Sequence, residues 1–114
     1  MLDSVELDVQ RVRAAKNQSL FREVNERIED LTRGQLAKFI CECANDTCDE
    51  SLPLTVEEYE HVRSESNSFF VLPGHDVLEV EEIIETTDRY VVVAKLGAGT
   101  AVAERLDPRT RAPQ

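Results

Sequence analysis

Three cysteines fall within eight residues, in CECANDTC (41–48), and the chain has no others. Thiols packed this closely impose a choice of disulfide, metal site or redox pair, and each would tie the surrounding chain differently. The N-terminal stretch MLDSVELDVQRVRAAK has no apolar segment behind a basic start, and no apolar run reaches membrane length. The expectation is a cytoplasmic protein, where thiols stay reduced and a tight cysteine cluster points to metal binding or redox work. An odd number of cysteines also fits poorly with disulfide stapling.

Zinc takes four ligands in a closed structural site, commonly thiolates mixed with imidazole. Cys41, Cys43 and Cys48 offer three donors, and the chain has two histidines for the fourth. His75 follows Pro73-Gly74, a rigid turn that would present a ligand at fixed geometry. His61 lies in mid-helix. The expected set is therefore Cys41, Cys43, Cys48 and His75 around one structural zinc, with His61, Asp46 or Asp49 as the alternatives to His75. Against this, C-x-C-x4-C departs from the usual C-x2-C knuckle, and residues 41 and 43 of an ideal strand share a face nearly 7 Å apart. Two thiolates on one zinc sit roughly 3.8 Å apart, so the backbone must bend near Glu42 or the side chains must converge. Three bystander thiols and a redox pair are the competing readings.

The remaining elements follow from periodicity. Residues 3–33 read as helix, because Val5, Val9, Val12, Leu20, Val24, Ile28 and Leu31 recur every three or four positions. That stripe is the expected packing face. Asp3 with Glu6 is the expected N-terminal cap, Glu23 and Arg27 a supporting pair one turn apart, and Gly34 the stop. AKNQS (15–19) interrupts the stripe, so the stretch reads as two helices or as one with a poorly packed middle. LAKFICEC (36–43) and DESLPLT (49–55) read as extended pieces on either side of the cysteine knuckle. Thr55 and Glu58 form a capping box, Leu54 and Tyr59 a hydrophobic staple, and a helix from Val56 to about Glu65 follows. SFFV leads into the Pro-Gly turn. Residues 79–97 read as a hairpin turning near Thr87-Asp88, whose second strand, apolar on both faces, belongs in the centre of a sheet. The expected fold class is α+β, an N-terminal helix packed on a small antiparallel sheet with a second short helix and a zinc knuckle. Residues 1–107 form one domain, with 1–16 a candidate helical arm and 108–114 a flexible tail.

Charge bears on partners. Thirteen Lys plus Arg against 23 Asp plus Glu leave a formal charge of −10. That field repels phosphate backbones and argues against direct nucleic-acid binding. It favours a protein partner, a basic one in particular, and it also keeps a small domain soluble.

NQSLFREVNERI (17–28), FICECANDTCDESLPLTVEEYEHVR (39–63), FFVLPGH (69–75) and DRYVVVAKLG (88–97) together carry a resemblance. The chain from Asn17 onward resembles a group of small actinobacterial-type proteins that share a C-x-C-x4-C … P-G-H motif and have no established activity. The resemblance implies the same four metal-site residues and no particular reaction.

The expected function is a zinc-stabilised binding or regulatory module acting through protein–protein contacts. The alternative is a redox or metal sensor in which cysteine oxidation releases zinc. A zinc-dependent enzyme ranks below both: three thiolates lower the Lewis acidity of the ion, and there is no H-E-x-x-H, phosphate loop or Ser-His-Asp set. Glu42 and Asp76 are the acids close enough in sequence to serve such an enzyme as base.

Overall fold

Asp3 accepts a hydrogen bond from the Glu6 amide at 2.8 Å and so starts the first helix. In the computed structural model, which describes residues 3–110, this helix, α1, runs unbroken over Ser4–Leu31. It ends at Thr32 rather than at Gly34. The Thr32 amide donates to the Glu29 carbonyl and its hydroxyl to the Ile28 carbonyl.

The chain then forms β1 (Leu36–Ile40) and β2 (Ser51–Thr55), an antiparallel pair with Phe39 opposite Leu52. α2 (Val56–Arg63) begins with the expected capping box, each of Thr55 and Glu58 bonding the other's backbone amide. Leu54 and Tyr59, the staple pair, are both fully buried. Next come β3 (Ser68–Val71), β4 (Glu81–Thr86) and β5 (Val91–Lys95), joined in the order β3-β5-β4, all antiparallel. The strand that is apolar on both faces is indeed the central one.

β5 and β3 separate two cores. On one side Phe70 and Val92 pack with Phe39, Leu52, Leu54, Tyr59, Val62 and Tyr90, the rings of Phe39 and Tyr59 stacking 4.5 Å apart. On the other, Phe69, Val71, Val91 and Val93 meet Cys41, Cys43 and Ala103. The Arg22 guanidinium of α1 lies over the Phe69 ring at 4.5 Å, so α1 covers this second face.

Ala103 belongs to α3 (Ala98–Arg105), a helix in a segment whose sequence is ambiguous. Gly99 shows why a glycine stands there. A Cβ at this position would come within 2.9 Å of the Arg11 carbonyl oxygen, so only glycine lets α3 lie against α1 this closely.

α1 departs most from expectation. Its buried residues are Ala14, Ala15, Gln18, Ser19, Arg22 and Asn25, while Val5, Val9, Leu20, Val24 and Leu31 are exposed. Most of the expected packing face is thus the outer face, Ile28 alone of the stripe packing against a core, and AKNQS is no break: its Ala15, Gln18 and Ser19 belong to the inner face. The inner face is polar because much of what it meets is backbone and charge. Arg22 donates to the carbonyls of Ser66 and Ala103 at 2.6 and 2.8 Å, and Gln18 bridges the fully buried Glu81–Lys95 ion pair. Such bonds offset most of the cost of burying these polar groups, although Ser19 Oγ and Arg22 Nε find no partner.

Glu26, also on α1, ties in the C-terminal segment. Its carboxylate accepts from the Tyr59 hydroxyl at 2.7 Å, from Arg63 at 3.2 Å and from Arg109 at 2.8 Å. Arg63 also pairs with Asp107. The described part of the expected tail is thus engaged through Arg109, and residues 111–114 lie outside the described residues. Burial acts to raise the Glu26 pKa, but the bonds from Arg109, Tyr59 and Arg63 outweigh it and bring it down to about 2. A depressed carboxylate pKa contributes stability that is present above the unfolded value near 4.5 and lost as pH falls toward 2. In that window the protein loses about 1–2 kcal/mol from this group after solvent screening. Urea titrations across it should show a smaller loss for Glu26→Gln, and equal pH slopes for the two proteins would contradict the assignment.

Candidate metal centre

The cysteine segment joins β1 to β2 and lies between their sheet and the edge of β3. The Cys41 amide donates to the Glu50 carbonyl at 2.9 Å, prolonging the β1–β2 pairing, whereas the next amide, of Glu42, donates to the Phe70 carbonyl of β3 at 3.1 Å. Alternation along this extended stretch sends Cys41 and Cys43 to one side and Glu42 to the other. Glu42 is fully buried there, accepting from the Asn25 side chain at 2.9 Å and the Phe70 amide at 3.3 Å. Burial pushes its pKa up to about 7, against the pull of Asn25 and Arg22. Of the two acids considered as a base, Glu42 is therefore held away from the cysteine face.

α1 fixes this stretch from behind. Asn25 both donates to the Ile40 carbonyl and accepts from the Ile40 amide, each at 2.8 Å. Gln18 donates to the Glu42 carbonyl at 2.9 Å, and Asn17 to the Ala44 carbonyl at 3.4 Å. Three side chains of one helix thus grip alternate residues, 40, 42 and 44, and leave 41 and 43 facing the site. Sequence reading missed these residues, since amides in a helix pass for a solvated face. The visible signal was their position in NQSLFREVN, where they displace the apolar stripe.

The knuckle after Cys43 is a local turn. Asn45 Oδ1 accepts from the Thr47 amide at 3.1 Å, and the Asn45 carbonyl accepts from the Cys48 amide at 3.1 Å, returning Cys48 toward the strand ends. His75 arrives from the opposite direction. The His75 amide donates to the Leu72 carbonyl at 2.9 Å around Pro73 and Gly74, with Gly74 at φ 87, the positive value that position of such a turn demands.

Sγ of Cys41, Cys43 and Cys48 and a ring nitrogen of His75 all lie within 4.8 Å of one another. His75 Nδ1 stands 3.6 Å from Cys41 Sγ and 3.8 Å from Cys48 Sγ. A tetrahedral ion with Zn–S near 2.3 Å and Zn–N near 2.05 Å requires about 3.6 Å between sulfur and nitrogen. These four residues are positioned to hold a metal ion. His61 is elsewhere, mostly exposed and 2.8 Å from Glu85, and Asp46 and Asp49 are outside the donor group.

Two further contacts suit a ligand set. His75 Nε2 lies 3.2 Å from a Glu50 oxygen, which orients the ring with Nδ1 toward the sulfurs. The Leu72 amide donates to Cys41 Sγ at 3.3 Å. The thiols themselves are electrostatically unequal. A hydrogen bond with Cys41, opposed by burial and aided by His75, pulls the Cys43 thiol down to about 5. The same contact with Cys43, with burial, drives Cys41 upward, and burial raises Cys48. A divalent ion held by these donors would favour the ionised form of all three sulfurs.

The site is buried at Cys41 and Cys43 and half-buried at Cys48 and His75. A shallow cleft of about 270 Å³, lined by Cys43, Asn45, Gly74, His75, Asp76 and Val77, opens beside it. Among the described residues no helix is long and apolar enough to cross a membrane. No protein-family model, curated protein or solved structure matches this chain.

Proposed function

We propose that Cys41, Cys43, Cys48 and His75 hold one zinc ion in a closed structural site, and that the zinc-stabilised domain is a cytoplasmic binding or regulatory module working through protein–protein contacts. The observation that carries the metal reading is the convergence of the four donors from two separate loops, the β1–β2 and β3–β4 connections, with sulfur-to-nitrogen distances of 3.6 and 3.8 Å. Zinc is preferred because three thiolates with one imidazole form a soft, four-coordinate set. A small domain with few aromatics gains several kcal/mol of folding free energy from such an ion. The acidic charge of −10 supports a protein partner over a nucleic acid.

Native mass spectrometry of protein purified without added metal tests this. One zinc per chain is expected, reduced in Cys43→Ser and His75→Ala. A well-folded wild type without metal would sink the reading.

The half-buried Cys48, whose sulfur lies within 4.8 Å of those of Cys41 and Cys43, favours a second reading, a redox sensor. Peroxide would take two electrons from two thiolates, leaving a disulfide and water and releasing the ion. Zinc release under mild peroxide, reversed by dithiothreitol, would support the sensor, and retention of zinc would leave the structural role alone.

A further inference from the structure

Among the described residues, five of the nine exposed large hydrophobic side chains lie on α1, on its outer face. Val5 is 69% exposed, Val9 50%, Leu20 61%, Val24 48% and Leu31 70%, and Val12 is partly exposed. A stripe this long is more than the scattered apolar residues expected on a monomer's surface. Its full membership, with the two basic residues that complete it, is 5, 9, 12, 16, 20, 24, 27 and 31, that is Val, Val, Val, Lys, Leu, Val, Arg and Leu. The steps are 4, 3, 4, 4, 4, 3 and 4, the same read from either end. Their mean, about 3.7 residues, keeps the stripe on one side of a nearly straight helix.

A palindromic stripe matches itself when a second helix lies antiparallel across it. Each position then meets its mirror about residue 18, so Val5 meets Leu31, Val12 meets Val24, Val9 meets Arg27 and Lys16 meets Leu20. The aliphatic stems of Arg27 and Lys16 cover the facing apolar side chains while their charges reach water at the rim. In the same register Arg27 lies within one turn of Asp8 of the second copy, and Lys16 within one turn of its Glu23. Charge on this face is nearly balanced, Arg13, Lys16 and Arg27 standing with Glu6, Asp8, Glu23 and Asp30, in a chain whose net charge is −10. The face therefore escapes the self-repulsion that would oppose contact elsewhere. At 28 residues the helix offers a seam about 42 Å long.

We propose that α1 pairs antiparallel with α1 of a second copy of this chain, forming a two-fold dimer through the stripe Val5, Val9, Val12, Leu20, Val24 and Leu31. The contact is isologous, as in most homodimers. It leaves the metal centre free, because that centre is built on the opposite, inner face of the helix.

Sedimentation velocity on the full chain over a concentration series around ~100 µM reads the dimer directly. The expected result is a reversible dimer, weakened at least about tenfold by Leu20→Glu and by Val12→Glu. Both positions lie on the outer face, and circular dichroism with metal content confirms that the variants remain folded. The register is read by charge exchange: Arg27→Glu weakens the dimer, and the double variant Asp8→Arg/Arg27→Glu restores it to within about threefold of wild type. A wild type that stays monomeric overturns the proposal and leaves the stripe to another partner. A dimer indifferent to Leu20→Glu, or a double variant without recovery, overturns it as well.

Discussion

Chelation lowers the melting temperature of the protein by at least about 15 °C, and Cys43→Ser protein melts in the same low range whether or not chelator is present. The expectation follows from where the four ligands come from. Cys41 and Cys43 stand between two sheets, Cys48 on a turn and His75 on a second turn after β3. An ion bound to all four cross-links segments up to 34 residues apart in sequence. Ligand binding stabilises the native state in proportion to the logarithm of concentration over Kd, and a structural zinc site contributes at least about 4 kcal/mol by that route. For a domain of this size each kcal/mol moves the midpoint by roughly 4 °C. Cys43→Ser loses a thiolate that is fully enclosed, with 1% of its surface exposed, and serine is a poor ligand for zinc. Calorimetry with and without chelator measures both effects. A midpoint that chelator leaves unchanged, in protein shown to carry zinc, would mean that the fold does not depend on the site.

Asn25→Ala destabilises the protein by about 3 kcal/mol and weakens metal binding by about 10- to 100-fold. Asn25 is fully buried and satisfies three groups at once: the Ile40 amide, the Ile40 carbonyl and the Glu42 carboxylate. Truncation leaves these buried groups without that partner, at about 1–3 kcal/mol for each one that finds no other. It also frees residue 40, one position before the first cysteine, so the ligands lose part of their preset geometry. Urea unfolding reads the first effect, and competition with a colorimetric zinc chelator reads the second. A variant that lost stability yet held zinc as tightly as wild type would show that Asn25 supports the core without positioning the ligands. Gln18 acts similarly two residues further on, at the Glu42 carbonyl, but with a single bond to that backbone.

These two residues also mark the limit of what local sequence conveys. The stripe on α1 was legible as a helix signal and its residues do form the helix, yet the side that packs was misread. Periodicity reports that apolar residues share a face and is silent on what that face meets. In most small domains the apolar face turns inward because burial of carbon is the dominant favourable term. Here the inward face has to bond the backbone at residues 40, 42 and 44 and to bridge a buried Glu81–Lys95 pair, work for which valine has no donors. Likewise α3 holds Gly99, whose low helix propensity is overridden by the need for close approach at the Arg11 carbonyl.

What the sequence determined by itself was first what depends on neighbours in the chain: the helix cap at Asp3, the capping box at Thr55 and the turn at Pro73-Gly74, which rest on interactions three residues apart that a linear reading contains. Residue chemistry added the central place of a segment apolar on both faces and the choice of Cys41, Cys43, Cys48 and His75 as the candidate site. The tertiary structure alone decided which face of α1 is buried, how Cys41 and Cys43 converge despite their spacing, and that Glu50 and Leu72 buttress the donors. Each of these depends on hydrogen bonds between segments 15 to 81 residues apart, whose partners no local pattern names.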